Sequence, residues 1–274
     1  MRLLLFGGVL VVASWLIAWS RIPILTEYSF FPLWLGYVVT TNGVSEVLYG
    51  DSLLRRMRFS FLWLFAISIP MWWCFEYLNS VVQNWHYVLP HPISQLHYNI
   101  QASVDFSTIV PAVLSAAFLF SCLFKNQTLK RDAVRIHASW FIVSVLLSIA
   151  FFFLVKLFPR EAFPLIWIAP LFLLEPILYF FSSSSLLRLV EKGEWLLPVS
   201  LMIGTLFTGF WWEFWNFYSM PKWIYTIPYV DFWRIFEMPL LGYGGYPFFG
   251  LIAYSYGALV FFFIFRKEIS RFFN

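Results

Sequence analysis

Apolar residues fall in long blocks separated by short polar stretches. Eight blocks stand at about 3–20, 29–50, 59–79, 104–124, 137–158, 163–182, 195–217 and 240–265, each near the roughly 20 residues that a helix needs to cross a bilayer. The pattern predicts an all-α, polytopic integral membrane bundle of about eight transmembrane helices, with both termini on one side. The first block, LLLFGGVLVVASWLIAW, lacks a small-x-small cleavage site and is read as a retained span rather than a removed signal.

Composition agrees with the pattern. Hydrophobic residues make up 61% of the chain and charged residues 12%, with a mean hydropathy of +0.76, which excludes an ordinary soluble domain. The 34 Phe and 15 Trp exceed what two interfacial belts need, so some rings are expected between the helices. Thirteen of the 18 basic residues fall on one side of the predicted topology: Arg2, Arg55, Arg56, Arg58, Lys125, Lys130, Arg131, Arg135, Arg188, Lys192, Arg266, Lys267 and Arg271. By the positive-inside rule that side is cytoplasmic and holds both termini, which predicts a multi-pass protein of a bacterial inner (plasma) membrane. The tryptophan-rich loops 80–103 and 218–239 then face outward. No soluble basic and aromatic surface remains for nucleic acid.

The two halves repeat short motifs in order. Phe31-Pro32-Leu33 returns as Phe163-Pro164-Leu165, Ser52-Leu53-Leu54-Arg55 as Ser185-Leu186-Leu187-Arg188, and Trp72-Trp73-Cys74-Phe75 as Trp211-Trp212-Glu213-Phe214. Trp85-x-Tyr87-x-x-Pro90 returns as Trp223-x-Tyr225-x-x-Pro228, and Val104-Asp105-Phe106 as Val230-Asp231-Phe232. The order predicts two parallel four-helix repeats, 1–136 and 137–274, related about an axis along the membrane normal. Two registers compete at the third helix of each half. Matching Glu76-x-x-Asn79 to Glu213-x-x-Asn216 gives one, and matching Trp-Trp-x-Phe sets Glu213 opposite Cys74.

The candidate chemistry lies in this repeated region. Glu76 with Asn79, and Glu213 with Asn216, share a helix face, and acids within a membrane are functional candidates. The second half adds Asp231, Arg234 and Glu237 ahead of Gly242, Gly244 and Gly245. Glu213, Glu237 and Asp231 are the candidate acids. Trp212, Asn216, Trp223, Tyr225, Arg234, Glu76, Asn79, Trp85, Tyr87 and Asp105 are the candidate binding residues. Each has a plainer reading: helix-end hydrogen bonds for the Glu/Asn pairs and an aromatic belt for the loops. Glu46 and Glu175 lie deeper, with interhelical hydrogen bonding as their simplest use. His86, His91 and His97 form no histidine box, although three histidines and an acid could in principle hold zinc. No phosphate loop or nucleophile elbow is present, and no metal or cofactor is predicted.

At Trp72-Trp73-x-Phe75-Glu76-x-x-Asn79, Gln83-Asn84-Trp85-x-Tyr87 and Phe236-Glu237-Met238-Pro239-Leu240-Leu241-Gly242-Tyr243-Gly244, the chain resembles a family of uncharacterised bacterial polytopic membrane proteins. Its tandem helices with acids and aromatics also resemble, in architecture, the membrane-embedded lycopene cyclase type of carotenoid enzyme, without that type's proline and paired-glutamate motif.

Three functions remain open at this stage. One is binding or processing of a lipid- or isoprenoid-like molecule, at most as a cyclase- or isomerase-like acid catalyst in which an acid protonates a double bond and rings steady the cation. Another is a non-catalytic pigment or lipid binder, or a subunit packed against partner membrane proteins. The third is a transporter, which lacks a chain of ionisable residues across the bundle.

Overall fold

The computed structural model describes residues 1–127 and 129–273. It is an all-α bundle with two small antiparallel ribbons. The first half contains α1 (Arg2–Ser20), α2 (Phe30–Tyr49), α3 (Leu53–Met57), α4 (Leu62–Val82), β1 (Trp85–Val88), α5 (Gln95–Phe106) and α6 (Ile109–Phe124). The second contains α7 (Ala138–Leu157), α8 (Pro159–Ala162), α9 (Ala169–Phe181), α10 (Leu186–Glu191), α11 (Leu196–Tyr218), β2 (Lys222–Tyr225), β3 (Arg234–Ile235), β4 (Met238–Pro239) and α12 (Gly245–Phe265).

Among the described residues, six segments are long and apolar enough to cross a membrane: Arg2–Ser20, Leu53–Val82, Gln95–Phe124, Ala138–Leu157, Pro159–Phe181 and Leu240–Phe265. The helices α2 and α11 occupy the other two blocks expected from the sequence. They bury polar residues, among them Asn42 and Ser45 in α2 and Thr205, Thr208, Glu213 and Asn216 in α11. These polar residues lower the hydropathy of the two helices, and inside a bundle such groups can bond to neighbouring helices. By contrast, α1 and α7 turn Leu5, Val9, Leu16, Ile142, Leu146 and Phe153 outward.

Buried polar groups close the breaks in these helices. Pro176 within α9 cannot donate to the Phe172 carbonyl, and the Ser144 hydroxyl donates to that carbonyl instead, at 2.8 Å. Between α5 and α6, the Ser68 hydroxyl donates to the Phe106 carbonyl at 2.5 Å and accepts from the Val110 amide at 3.1 Å. A side chain inserted into the helix ladder in this way interrupts it between α5 and α6, and Asp105 lies beside the break.

The ends bearing the short helices α3 and α10 use one design twice. Ser52 caps α3 by accepting from the Arg55 amide, and Ser185 caps α10 by accepting from the Arg188 amide. Asn42 Oδ1 accepts from the Leu54 amide, while its Nδ2 donates to Ser115 in α6. Glu175 Oε2 accepts from the Leu187 amide and the Ser185 hydroxyl, while its Oε1 accepts from Ser255 in α12. Glu175 and Asn42 therefore do the same work, joining the second helix of each half to a short helix and to the fourth. Glu46 accepts from Ser52 at 2.9 Å. Buried Glu175 is thus used between helices, whereas half-buried Glu46, in the last turn of α2, ties that helix to the cap of α3.

At the opposite end, β1 pairs with β2 in antiparallel register: Trp85 with Tyr225, His86 with Ile224, Tyr87 with Trp223 and Val88 with Lys222. The ribbon ties the halves together. The helices meet closely beneath it, since a Cβ on Gly204 of α11 would lie 2.7 Å from the Ala117 amide nitrogen of α6.

Candidate functional site

The two tryptophan-rich loops meet through the β1–β2 ribbon, and each strand is fastened to the helix before it by an asparagine. Asn79 donates to the Trp85 carbonyl at 2.8 Å and accepts from the Asn84 and Trp85 amides. Asn216 donates to the Trp223 carbonyl at 2.7 Å and accepts from the Trp223 amide at 2.8 Å. These contacts follow the Glu-x-x-Asn register, and Cys74, the alternative partner of Glu213, is exposed.

The glutamate one turn earlier gathers the ring donors of its strand. Glu76 Oε1 accepts from the Trp72 indole at 2.8 Å, the Trp85 indole at 3.1 Å and the Tyr87 hydroxyl at 2.6 Å. Glu213 Oε1 accepts from the Tyr225 and Tyr246 hydroxyls, each at 2.7 Å, and the Tyr225 oxygen accepts from the Trp223 indole at 2.9 Å. An indole N–H can only donate, so the Trp223 contact directs the Tyr225 proton toward Glu213. The same reasoning makes Glu76 Oε1 an acceptor toward both of its tryptophans. Glu213 is fully buried, and its Oε2 has no hydrogen-bond partner among the described residues.

The rings held by these acids wall one pocket, a cavity of about 180 Å³. Trp72, Trp85 and Tyr87 come from the first half, and Trp212, Trp223, Tyr225 and Tyr246 from the second. Trp34 crosses between them. It is 1% exposed and lies 5.0 Å from the Trp212 ring centroid and 5.2 Å from that of Trp215. A ring-lined concavity where the two halves meet has the lining of a site for an apolar group. Trp85 and Trp212 are buried, so these rings face inward instead of forming a belt against lipid.

Among the carboxylates of the described residues, only Asp105 belongs to the pocket wall. Its carboxyl meets the Phe31 backbone amide in the first turn of α2, where the helix dipole favours an anion. Lys222 also reaches the wall, but its ammonium is paired with Glu237 and donates to the Phe217 carbonyl at 2.9 Å.

The remaining candidates lie outside the wall. Asp231 and Arg234 are exposed and pair with each other at 2.6 Å. Arg234 also donates to the Glu237 and Tyr225 carbonyls, clamping the β3–β4 hairpin onto the end of β2. Asp231 precedes that hairpin in a tightly turned loop, whereas Asp105 lies in the last turn of a helix. Their matching sequence motifs thus sit in different local structure, because a twelve-residue helix, α5, occupies the first half where the second has a short hairpin. The histidines separate: His86 contacts Thr226, His91 contacts Glu27 and His97 contacts Tyr28. No cluster able to hold a metal ion occurs among the described residues.

Trp34, Trp167, Tyr246 and Phe249 join the wall without having been singled out in the sequence. They lie inside apolar helices or at their entrances, where one aromatic residue looks like the next. Their only signal was the surplus of rings over belt positions.

No protein-family model, curated protein or solved structure matches this chain.

Proposed function

We propose that this multi-pass membrane protein is built from two duplicated four-helix halves that close a pocket for a lipid- or isoprenoid-like molecule. The observation that carries the reading is the convergence of ring walls from both halves on one pocket, each wall fixed from behind by a glutamate and an asparagine. The duplication is supported by the paired uses of Asn42 and Glu175, Ser52 and Ser185, and Asn79 and Asn216. The bias of basic residues supports a reading with the pocket at the outer face and both termini in the cytoplasm. In this reading Glu76 and Glu213 are positioning residues that set the rings, and Arg234 fastens the loop over them. The role is binding rather than acid catalysis, because the glutamates use Oε1 to hold rings and stand behind the wall.

The test is organic extraction and mass spectrometry of protein purified in mild detergent, wild type beside Ala102→Trp. Ala102 is a small, buried residue of the wall, so an indole there fills the space. The reading predicts one amphiphile in stoichiometric amount with the wild type and its loss from the variant. Bulk membrane lipid alone in both preparations, each with an unchanged melting profile, contradicts it.

A further inference from the structure

The walls favour one kind of guest. Seven tryptophans face the pocket, including Trp34, Trp72, Trp85, Trp212 and Trp223, and ring faces carry the negative part of the aromatic quadrupole. Indoles bind cations best among the aromatic side chains. The donor edges of Trp72, Trp85 and Tyr87 are turned to Glu76, so carboxylate charge stands behind rings that face the cavity.

The charged side chains of the wall point the same way. Asp105 takes part in none of the ion pairs among the described residues, and the Phe31 amide at the start of α2 is the contact it has there. A carboxylate in apolar surroundings is costly without a counter-charge. Lys222, the basic residue of the wall, is already matched by Glu237. Among the described residues the cavity therefore has an acid outside every ion pair, many ring faces and no free cation to receive an anionic head.

We propose that the pocket selects a molecule with a cationic group, a quaternary ammonium or substituted amine on an apolar chain, with Asp105 as counter-ion and the tryptophan faces as its cage. This rests on the pocket reading above and goes beyond it by naming the charge of the guest. A neutral isoprenoid would gain the apolar contacts but leave Asp105 unmatched. An anionic headgroup would meet Asp105 with no basic residue free to offset it.

The test is isothermal titration of the full chain in neutral maltoside micelles with decyltrimethylammonium, decanol and decyl sulfate, each corrected by titration of empty micelles. Wild type is compared with Asp105→Asn, which keeps the side chain's shape. The ammonium compound is expected to bind roughly tenfold more tightly than decanol, the range that desolvated cation–ring contacts supply, and decyl sulfate more weakly than either. Asp105→Asn, with an unchanged melting temperature, is expected to lose at least about threefold of that preference while its affinity for decanol stays the same. Equal affinities for decyltrimethylammonium and decanol overturn the cationic assignment and leave the pocket standing. A preference unchanged in Asp105→Asn overturns the counter-ion role. Absence of saturable binding by all three compounds overturns the pocket reading itself.

Discussion

At the residue scale, the account depends on side chains that satisfy backbone and ring donors where loops return to the bundle. Asn79 makes three such bonds and Asn216 two. Asn79→Ala leaves two amides and a carbonyl of a buried turn unpaired, at a cost of about 1–3 kcal/mol, read as a lowered melting temperature in detergent. Asn216→Ala is expected to cost somewhat less. Glu76→Leu removes the acceptor of two indoles and a tyrosine and is expected to cost roughly 2–4 kcal/mol, whereas Glu76→Gln keeps an accepting oxygen and costs less. Tryptophan emission should shift in the leucine variant as its rings come free.

One acid outside the spans gives a pH prediction. Burial alone would raise the Glu268 carboxyl, but hydrogen bonds from the Ser182 and Ser184 hydroxyls and the Ser183 amide outweigh it and hold it below the usual carboxylate range. Its folded value lies below its unfolded one. The resulting stability is full above the unfolded value and is lost as pH falls through the folded one. Melting temperature should therefore fall on acidification through that window, and Glu268→Gln should flatten the fall. His91 is shifted the opposite way, upward, by its contact with the Pro92 carbonyl and then by Glu27. Its small contribution is present at low pH and lost as pH rises through the folded value, so the two groups act in separate windows.

At the element scale, close helix contact depends on residues without side chains. A Cβ at Gly250 of α12 would lie 2.1 Å from Thr205 Oγ1 and 2.6 Å from the Leu201 carbonyl oxygen of α11. Gly250→Val, which would push α12 from α11, and Gly204→Val, which would push α11 from α6, are each expected to destabilise the bundle by about 1–3 kcal/mol, measured by thermal unfolding in one detergent. Hydropathy made most of the bundle legible: each of the eight predicted blocks is largely helical, with α5 running into α6 and α8 leading into α9, and six segments among the described residues are long and apolar enough to cross a membrane. It did not reveal α5, because Gln95–Phe106 mixes His97, Asn99, Gln101 and Asp105 with apolar residues. Nor did it reveal the β1–β2 ribbon, whose four-residue strands read as loop. The alternation Trp85-x-Tyr87 and Trp223-x-Tyr225 was in view, but alternation within a turn-rich stretch does not say which strand pairs with which. The candidate site was partly legible for the same reason. The Glu/Asn pairs and the ring loops stood out as repeated oddities, while the placement of Asp105 in the wall and Asp231 outside it depended on how each half folds after its strand.

At the scale of the whole molecule, the pocket exists only because the halves meet. The β1–β2 register is centred between residues that occupy matching places in the two loop motifs, His86 and Ile224. Cysteines introduced as His86→Cys and Ile224→Cys, with Cys74 and Cys122 replaced by serine, are expected to form a disulfide under mild oxidation, since directly opposed residues of a ribbon bring their Cβ atoms within about 5 Å. Proteolysis of the 125–137 connection should then release the halves only after reduction. Failure to crosslink would place the loops apart.

The central claim is that one apolar molecule sits between the two ring walls, and the most direct measurement is photolabelling of the purified protein with a diazirine-bearing alkyl chain, followed by peptide mapping. The account predicts saturable labelling of wall peptides from both halves, around 85–106 and 212–246, with Ala102→Trp abolishing it. Labelling confined to the outward faces of α1 and α7, unchanged in that variant, would contradict it.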